Sequence, residues 1–165
     1  MNASSMLDLY TSEIQDMYNA EKQLIKALPK IAKAASSESL SNAILSHLEE
    51  TQGHVRRLEM ILKDLHKKPG GEKCEAMEGL IAEGDEVANA EGDDAVRDAG
   101  IILAAQKVEH YEIAGYGTLC VFAKLLGRKE DHRLLGEILA EEKNADSGLT
   151  RIAESEINVE AAASS

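Results

Sequence analysis

Four glutamates recur where a helix would be expected to present an apolar residue, and they are the chemistry this sequence offers. Glu21 follows Leu7, Tyr10, Ile14 and Met17 and precedes Leu24, Leu28, Ile31 and Ala35 at alternating three- and four-residue spacing. Glu112 stands in the same way between Val108 and Gly115, and Glu142 between Ile138 and Ala145. Glu50, or its neighbour Thr51, holds the corresponding place in the run Leu40, Ile44, His47, His54, Leu58, Ile61 and Leu65. A single glutamate at such a position usually lies at a boundary, its stem buried and its head in water. Four of them gathered in one layer need compensation, because burying even one unpaired charge costs several kcal/mol. Protons or cations supply it, and two divalent metal ions held by carboxylates are one established solution inside a helical bundle.

Neighbouring residues extend the set. His54 lies four residues after Glu50 and Asp146 four after Glu142, each one turn along beside its glutamate, while Glu109 lies one turn before Glu112. The candidate ligands are therefore Glu21, Glu50, His54, Glu109, Glu112, Glu142 and Asp146. His47, one turn before Glu50, reads by itself as a hydrogen-bonded core or interface histidine. His66, His110 and His132 fall off the stripes. Dimetal bundles commonly place a histidine three residues after a glutamate. Here the third positions are Gly53 and Ala145, and the fourth are His54 and Asp146. An oxygen-rich set of this kind accepts manganese, magnesium or calcium as well as iron.

The elements that must position these groups follow from the same periodicity. Helices are predicted over about 6–35, with Pro29 bending its last turns, from after the break at Ser36-Ser37-Glu38 to about 66, over 94–126 and over 130–157. A shorter helix is predicted over 74–88. Lys67-Lys68-Pro69-Gly70-Gly71 ends the second helix, Asp93 or Asp94 caps the helix that follows the short one, and Gly127 ends that helix. Residues 1–160 read as one domain, with a frayed end after Ile157 and a flexible tail over 161–165. The first two long helices, and the last two, are joined by a few residues, so each pair is an antiparallel hairpin. Almost thirty residues and the short helix separate the hairpins. That connectivity predicts an all-α, ferritin-like four-helix bundle with one long crossover. Glu21 to Glu50 spans 29 residues and Glu112 to Glu142 spans 30, so both pairs fall at matching heights along their hairpins.

Composition agrees and excludes alternatives. Apolar residues make up 44% of the 165, with one Phe, four Tyr and no Trp, which favours helices packed through Ala, Leu, Ile and Val over a β-sandwich. A net charge of −12 argues against nucleic acid and against an anionic membrane as partners. Cys74 and Cys120 are too few for a disulfide framework or a thiolate zinc site. With no apolar run approaching a bilayer span and a polar start, the cytoplasm is the expected location.

Several blocks carry a resemblance. Tyr18-Asn19-Ala20-Glu21-Lys22-Gln23-Leu24, His47-Leu48-Glu49-Glu50-Thr51, Cys74-Glu75-Ala76-Met77-Glu78-Gly79-Leu80-Ile81 and the run from Ala104 through Glu109-His110-Tyr111-Glu112 to Gly117 resemble the bacterial YciF/YciE stress-protein family. The resemblance covers nearly the whole chain. It implies a rubrerythrin-related fold, a homodimer, a dimetal site and a role in general stress responses. Rubrerythrin's pattern, carried across, matches Glu21, Glu50, Glu109, Glu112 and Glu142, with His54 and Asp146 where two histidines would stand. Iron is then the expected metal, oxidised at the site or used to consume oxygen or peroxide. No cysteine quartet of the rubredoxin type is present, so electrons would come from an external donor. The competing expectation is a non-catalytic dimeric stress protein with a structural metal or none. Gly115 and Gly117 read as points of close helix approach, and Tyr18, Tyr111 and Tyr116 as partners of site carboxylates or as packing residues.

Overall fold

The computed structural model describes residues 4–71 and 73–163. Four long helices form two antiparallel hairpins. They are α1 (Met6–Ala34), α2 (Glu38–Asp64), α4 (Asp94–Leu125) and α5 (Lys129–Ile152), with α3 (Glu75–Ala88) in the crossover. The α1–α2 and α4–α5 pairs are the most extensive contacts; α1 also packs on α4 and α2 on α5, which closes the ring of four. The crossover helix lies against α1 and α4. This is the predicted ferritin-like bundle, and no strand occurs among the described residues.

Local chemistry sets the helix ends. Ser5 and Ser37 accept from the backbone N–H of Asp8 and Leu40, and Asp93 accepts from Ala95 and Val96 at the start of α4. The α1–α2 turn has a second anchor that sequence reading missed. Asp98, buried on α4, accepts from the N–H groups of Ser36 (2.9 Å) and Ser37 (2.7 Å). Gly127 closes α4 with φ 71°, its own N–H reaching Lys124 and that of Arg128 reaching Ala123. His66 closes α2 in the same left-handed conformation (φ 55°) without glycine's freedom. α1 continues through Pro29 to Ala34.

Two expectations at the helix ends are corrected. Leu7, placed at the head of the α1 stripe, is 46% exposed; the buried stripe begins at Tyr10. The chain does not fray after Ile157. A π-helical segment (Ala153–Ile157) leads into α6 (Asn158–Ala163), and both pack on α4. Burial of Ala153 and Ile157, and hydrogen bonds from Ser37 and Ser39 to Glu156, hold this end in place. Residues 164–165 of the expected tail lie outside the described residues.

The core divides into two apolar clusters. One holds Leu24, Leu28, Ile44, Met77, Ile101 and Leu149; the other holds Tyr10, Ile14, Leu58, Ile61, Leu119 and Leu135. A polar layer lies between them.

Candidate metal centre

Every long helix contributes acid or imidazole to that layer. α1 gives Glu21, α2 gives His47 and His54, α4 gives Glu109 and Glu112, and α5 gives Glu142. Glu21, His54, Glu112 and Glu142 are fully buried, and Glu109 and His47 nearly so. On α2, residues 47, 51 and 54 fall within about 60° of one another around the helix. Thr51 therefore sits between the two imidazoles, its hydroxyl donating to the His47 carbonyl.

Glu142 faces both rings. Its Oε1 lies 3.0 Å from His54 Nδ1 and its Oε2 3.8 Å from His47 Nε2. Glu21 Oε1 joins the first side at 3.3 Å from His54 Nδ1, and Glu109 Oε1 the second at 3.3 Å from His47 Nε2. Ligand-capable atoms of Glu21, His54 and Glu142 lie within 4.8 Å of one another, and so do those of His47, Glu109, Glu112 and Glu142. Two adjoining donor sets thus share one carboxylate.

A further ring of contacts orients these groups. His54 Nε2 lies 2.8 Å from Glu141 Oε2, and Arg57 grips the same carboxylate with two bonds of 2.7 and 2.8 Å. Burial pushes Glu141 up, but Arg57 and His54 outweigh it and hold it below the usual carboxylate range. An ionised carboxylate only accepts, so the Nε2 proton is fixed and Nδ1 is presented to the layer, as a metal-ligating histidine requires. The Tyr116 hydroxyl donates to Glu21 Oε1.

Nine buried side-chain atoms have no hydrogen-bond partner among the described residues, and all nine belong to this layer. They include both nitrogens of His47, both oxygens of Glu112 and both of Glu142. Native proteins leave few such atoms, because each costs about 1–3 kcal/mol. Four carboxylates carry four negative charges, which two divalent cations would neutralise, and a mixed oxygen and imidazole set suits iron or manganese. The donors present therefore fit a pair of divalent ions.

Without metal, protons must serve. Burial lowers His47 and His54, but the surrounding glutamates, led by Glu50 for His47 and Glu142 for His54, outweigh it and push them up to about 9 and about 10. Burial drives Glu109 and Glu112 well above the usual carboxylate range, reinforced for Glu112 by the neighbouring acids. Glu142 ends below that range, because His54 and His47 outweigh its burial.

Among the residues singled out from sequence, Glu21, His54, Glu109, Glu112 and Glu142 converge. Glu50 does not enter the layer. It is offset by about 60° from His47 around α2, its side chain is 39% exposed, and it lies 3.5 Å from His47 Nδ1 at the rim. Thr51 takes the buried position that sequence left open between the two. Asp146 turns towards α4, where Gln106 donates to it at 3.0 Å, and it belongs to neither donor set. His47 is the residue that sequence reading placed elsewhere. It is not a hydrogen-bonded core histidine; it stands inside the donor set. Its i, i+7 relation to His54 was the available signal. Of the tyrosines, only Tyr116 reaches a site carboxylate; Tyr18 donates to Glu59 and Tyr111 to Asp16. Gly115 meets Met17 of its own chain, and Gly117 faces open space.

The family described as Domain of unknown function (DUF892) matches residues 5–162. The chain belongs to that family. It is 46% identical over 162 residues to Protein YciF of Escherichia coli (strain K12), covering 98% of both chains. The crystal structure of the E. coli stress protein YciF superposes with a TM-score of 0.90, covering 94% of this chain and 98% of that one. YcfI from Rhodopseudomonas palustris superposes at 0.87 with 46% identity, over 90% and 95% of the two chains. A protein from Xanthomonas campestris pv. campestris shares the fold at 23% identity and a TM-score of 0.72, over 92% of both chains. No helix among the described residues is long and apolar enough to cross a membrane.

Proposed function

We propose that this DUF892 chain is a stress-response protein whose buried layer binds two divalent metal ions, iron in the working state, and that it oxidises iron or consumes oxygen or peroxide there. The observation that carries the reading is the concentration of all nine unpartnered buried polar atoms in one layer of four carboxylates and two imidazoles. Glu21 and His54 would hold one ion, His47, Glu109 and Glu112 the other, and Glu142 both. Bound iron supplies Lewis acidity and one-electron chemistry with an oxidant. The chain's part is orientation and charge. Arg57 and Glu141 fix the His54 ring, Tyr116 holds Glu21, and the two apolar clusters flank the layer above and below. The stress role is inferred from the relationship to the E. coli stress protein YciF. The reading takes the protein as a cytoplasmic homodimer. It supplies no electron-transfer centre of its own, since both cysteines are single buried thiols, so an external donor is required.

The test is metal content of protein purified without added metal, followed by Fe(II) oxidation under air for wild type and Glu142→Gln. Two ions per chain, with oxidation lost in the variant, supports the proposal. A redox-silent ion with oxidation unchanged in the variant assigns the layer a structural role instead.

A further inference from the structure

A cavity of about 240 Å³ opens beside the polar layer and continues away from it towards the α1–α2 turn. Its length is lined by apolar side chains, among them Leu28, Ile44, Ile81, Ile101, Val108 and Leu149. The charged and imidazole groups gather at the layer end, where His47, Glu50 and Glu109 line it, and exposed Ser46 and Asn144 mark the mouth between α2 and α5. The space equals about eight water volumes at ~30 Å³ each. Apolar cavities of that order stay dry and take up small hydrocarbons. This one differs in having two nearly buried, unpartnered polar groups at one end, since Glu109 Oε2 and both His47 nitrogens lack hydrogen-bond partners. An apolar body with a few convergent polar groups at one end is the usual form of a small-molecule site.

We propose that this cavity binds a small unbranched aliphatic molecule with one uncharged hydroxyl-type head, its tail among Leu28, Ile44, Ile101 and Leu149 and its head at Glu109. Charge decides the head. A carboxylate only accepts and would add a further buried acid to a layer that already gathers four, whereas a hydroxyl both donates and accepts, so it can pair with the unpartnered Glu109 and His47 atoms whichever of them holds the proton, and it leaves no charge buried. Size decides the tail, because about eight heavy atoms fill the space. One consequence rests on the metal-centre reading: the compounds reaching that centre through this cavity are then apolar alcohols and hydroperoxides, so the substrate class is organic rather than the smallest hydrophilic oxidants.

The experiment is titration calorimetry of 1-heptanol and of sodium heptanoate into the full, EDTA-treated chain. Wild type, Ala105→Leu, Ala43→Leu and Leu125→Ala are compared, and circular dichroism verifies the fold of each. The two alanines line the cavity walls and are only partly buried, so at least one leucine variant is expected to fold. Leu125 is exposed and does not line the cavity. The expected result is saturable heptanol binding at one site per chain, heptanoate weaker by about tenfold or more, and a similar loss in the folded wall variants but not in Leu125→Ala. The proposal is overturned by absent heptanol binding, by heptanoate binding equally well, or by folded wall variants that bind as wild type. It is equally overturned if Ala43→Leu alters oligomeric state on size exclusion and leaves heptanol affinity unchanged, which would assign this face to a second copy. Because the protein is metal-free, a failure here leaves the metal-content result of the preceding section standing, and the converse also holds.

Discussion

Replacing Glu112 with leucine isolates the energetic conflict in the polar layer. Glu112 is fully buried, neither of its oxygens has a hydrogen-bond partner, and no imidazole pairs with it. In metal-free protein each orphaned oxygen costs about 1–3 kcal/mol, and leucine removes both in a side chain of similar volume. Allowing about 1 kcal/mol for imperfect shape, the metal-free variant should be about 1–5 kcal/mol more stable than wild type. For a chain of this size that raises the melting temperature by roughly 2–20 °C. With metal the gap should narrow. A ligand present at about 100 times its Kd stabilises wild type by about 2.7 kcal/mol, and a variant that no longer binds both ions gains less. The assay is thermal unfolding by circular dichroism of EDTA-treated and iron- or manganese-loaded samples, with metal stoichiometry by mass spectrometry. A metal-free variant that melts below wild type would refute the reasoning, because Glu112 would then be stabilising the layer without cations.

Three other perturbations probe separate parts of the molecule. Metal-free protein should lose stability as pH rises. His47 and His54 have folded values raised to about 9 and about 10 against 6.5 unfolded, so their contribution is complete below about 6.5 and disappears through those raised values. Glu109 and Glu112, also raised, act in the same direction, and melting temperatures across that range should fall in EDTA and fall less with metal bound. His66→Gly should stabilise the chain by about 1 kcal/mol in denaturant titration, since it relieves a left-handed non-glycine residue at the end of α2. Asp98→Ala should destabilise it by about 2–3 kcal/mol in the same assay, because the N–H groups of Ser36 and Ser37 lose their acceptor at the α1–α2 turn.

Fold and site were unequally legible in the sequence. The bundle was readable because its signals are local: four long stripes, polar breaks at Ser36–Ser37 and Gly127, and one connection too long for a hairpin. Glu21, Glu112 and Glu142 were readable because each interrupts an apolar stripe and the hairpin spacing sets such positions at matching heights. Glu50 and His47 were exchanged for a rotational reason. An offset of about 60° on α2 separates rim from layer, and stripe membership does not resolve it. Asp146 was misplaced because its partner, Gln106, is far away in sequence and on another helix. Asp98 was overlooked for the same reason, since the turn it caps is about sixty residues earlier. The rise of α6 beyond Ile157 was hidden by small and polar residues whose helicity depends on packing against α4.

The single carboxylate of Glu142, with one oxygen facing each imidazole, has a thermodynamic consequence. Whatever occupies one side, whether proton or cation, draws charge from the group that the other side also needs. The two sides therefore cannot fill independently. By reciprocity, the factor by which the first occupant changes affinity for the second equals the factor by which the second changes affinity for the first. The layer behaves as one coupled binding unit with two addresses, and its loading curve carries a cooperativity, of either sign, that is set at a single residue.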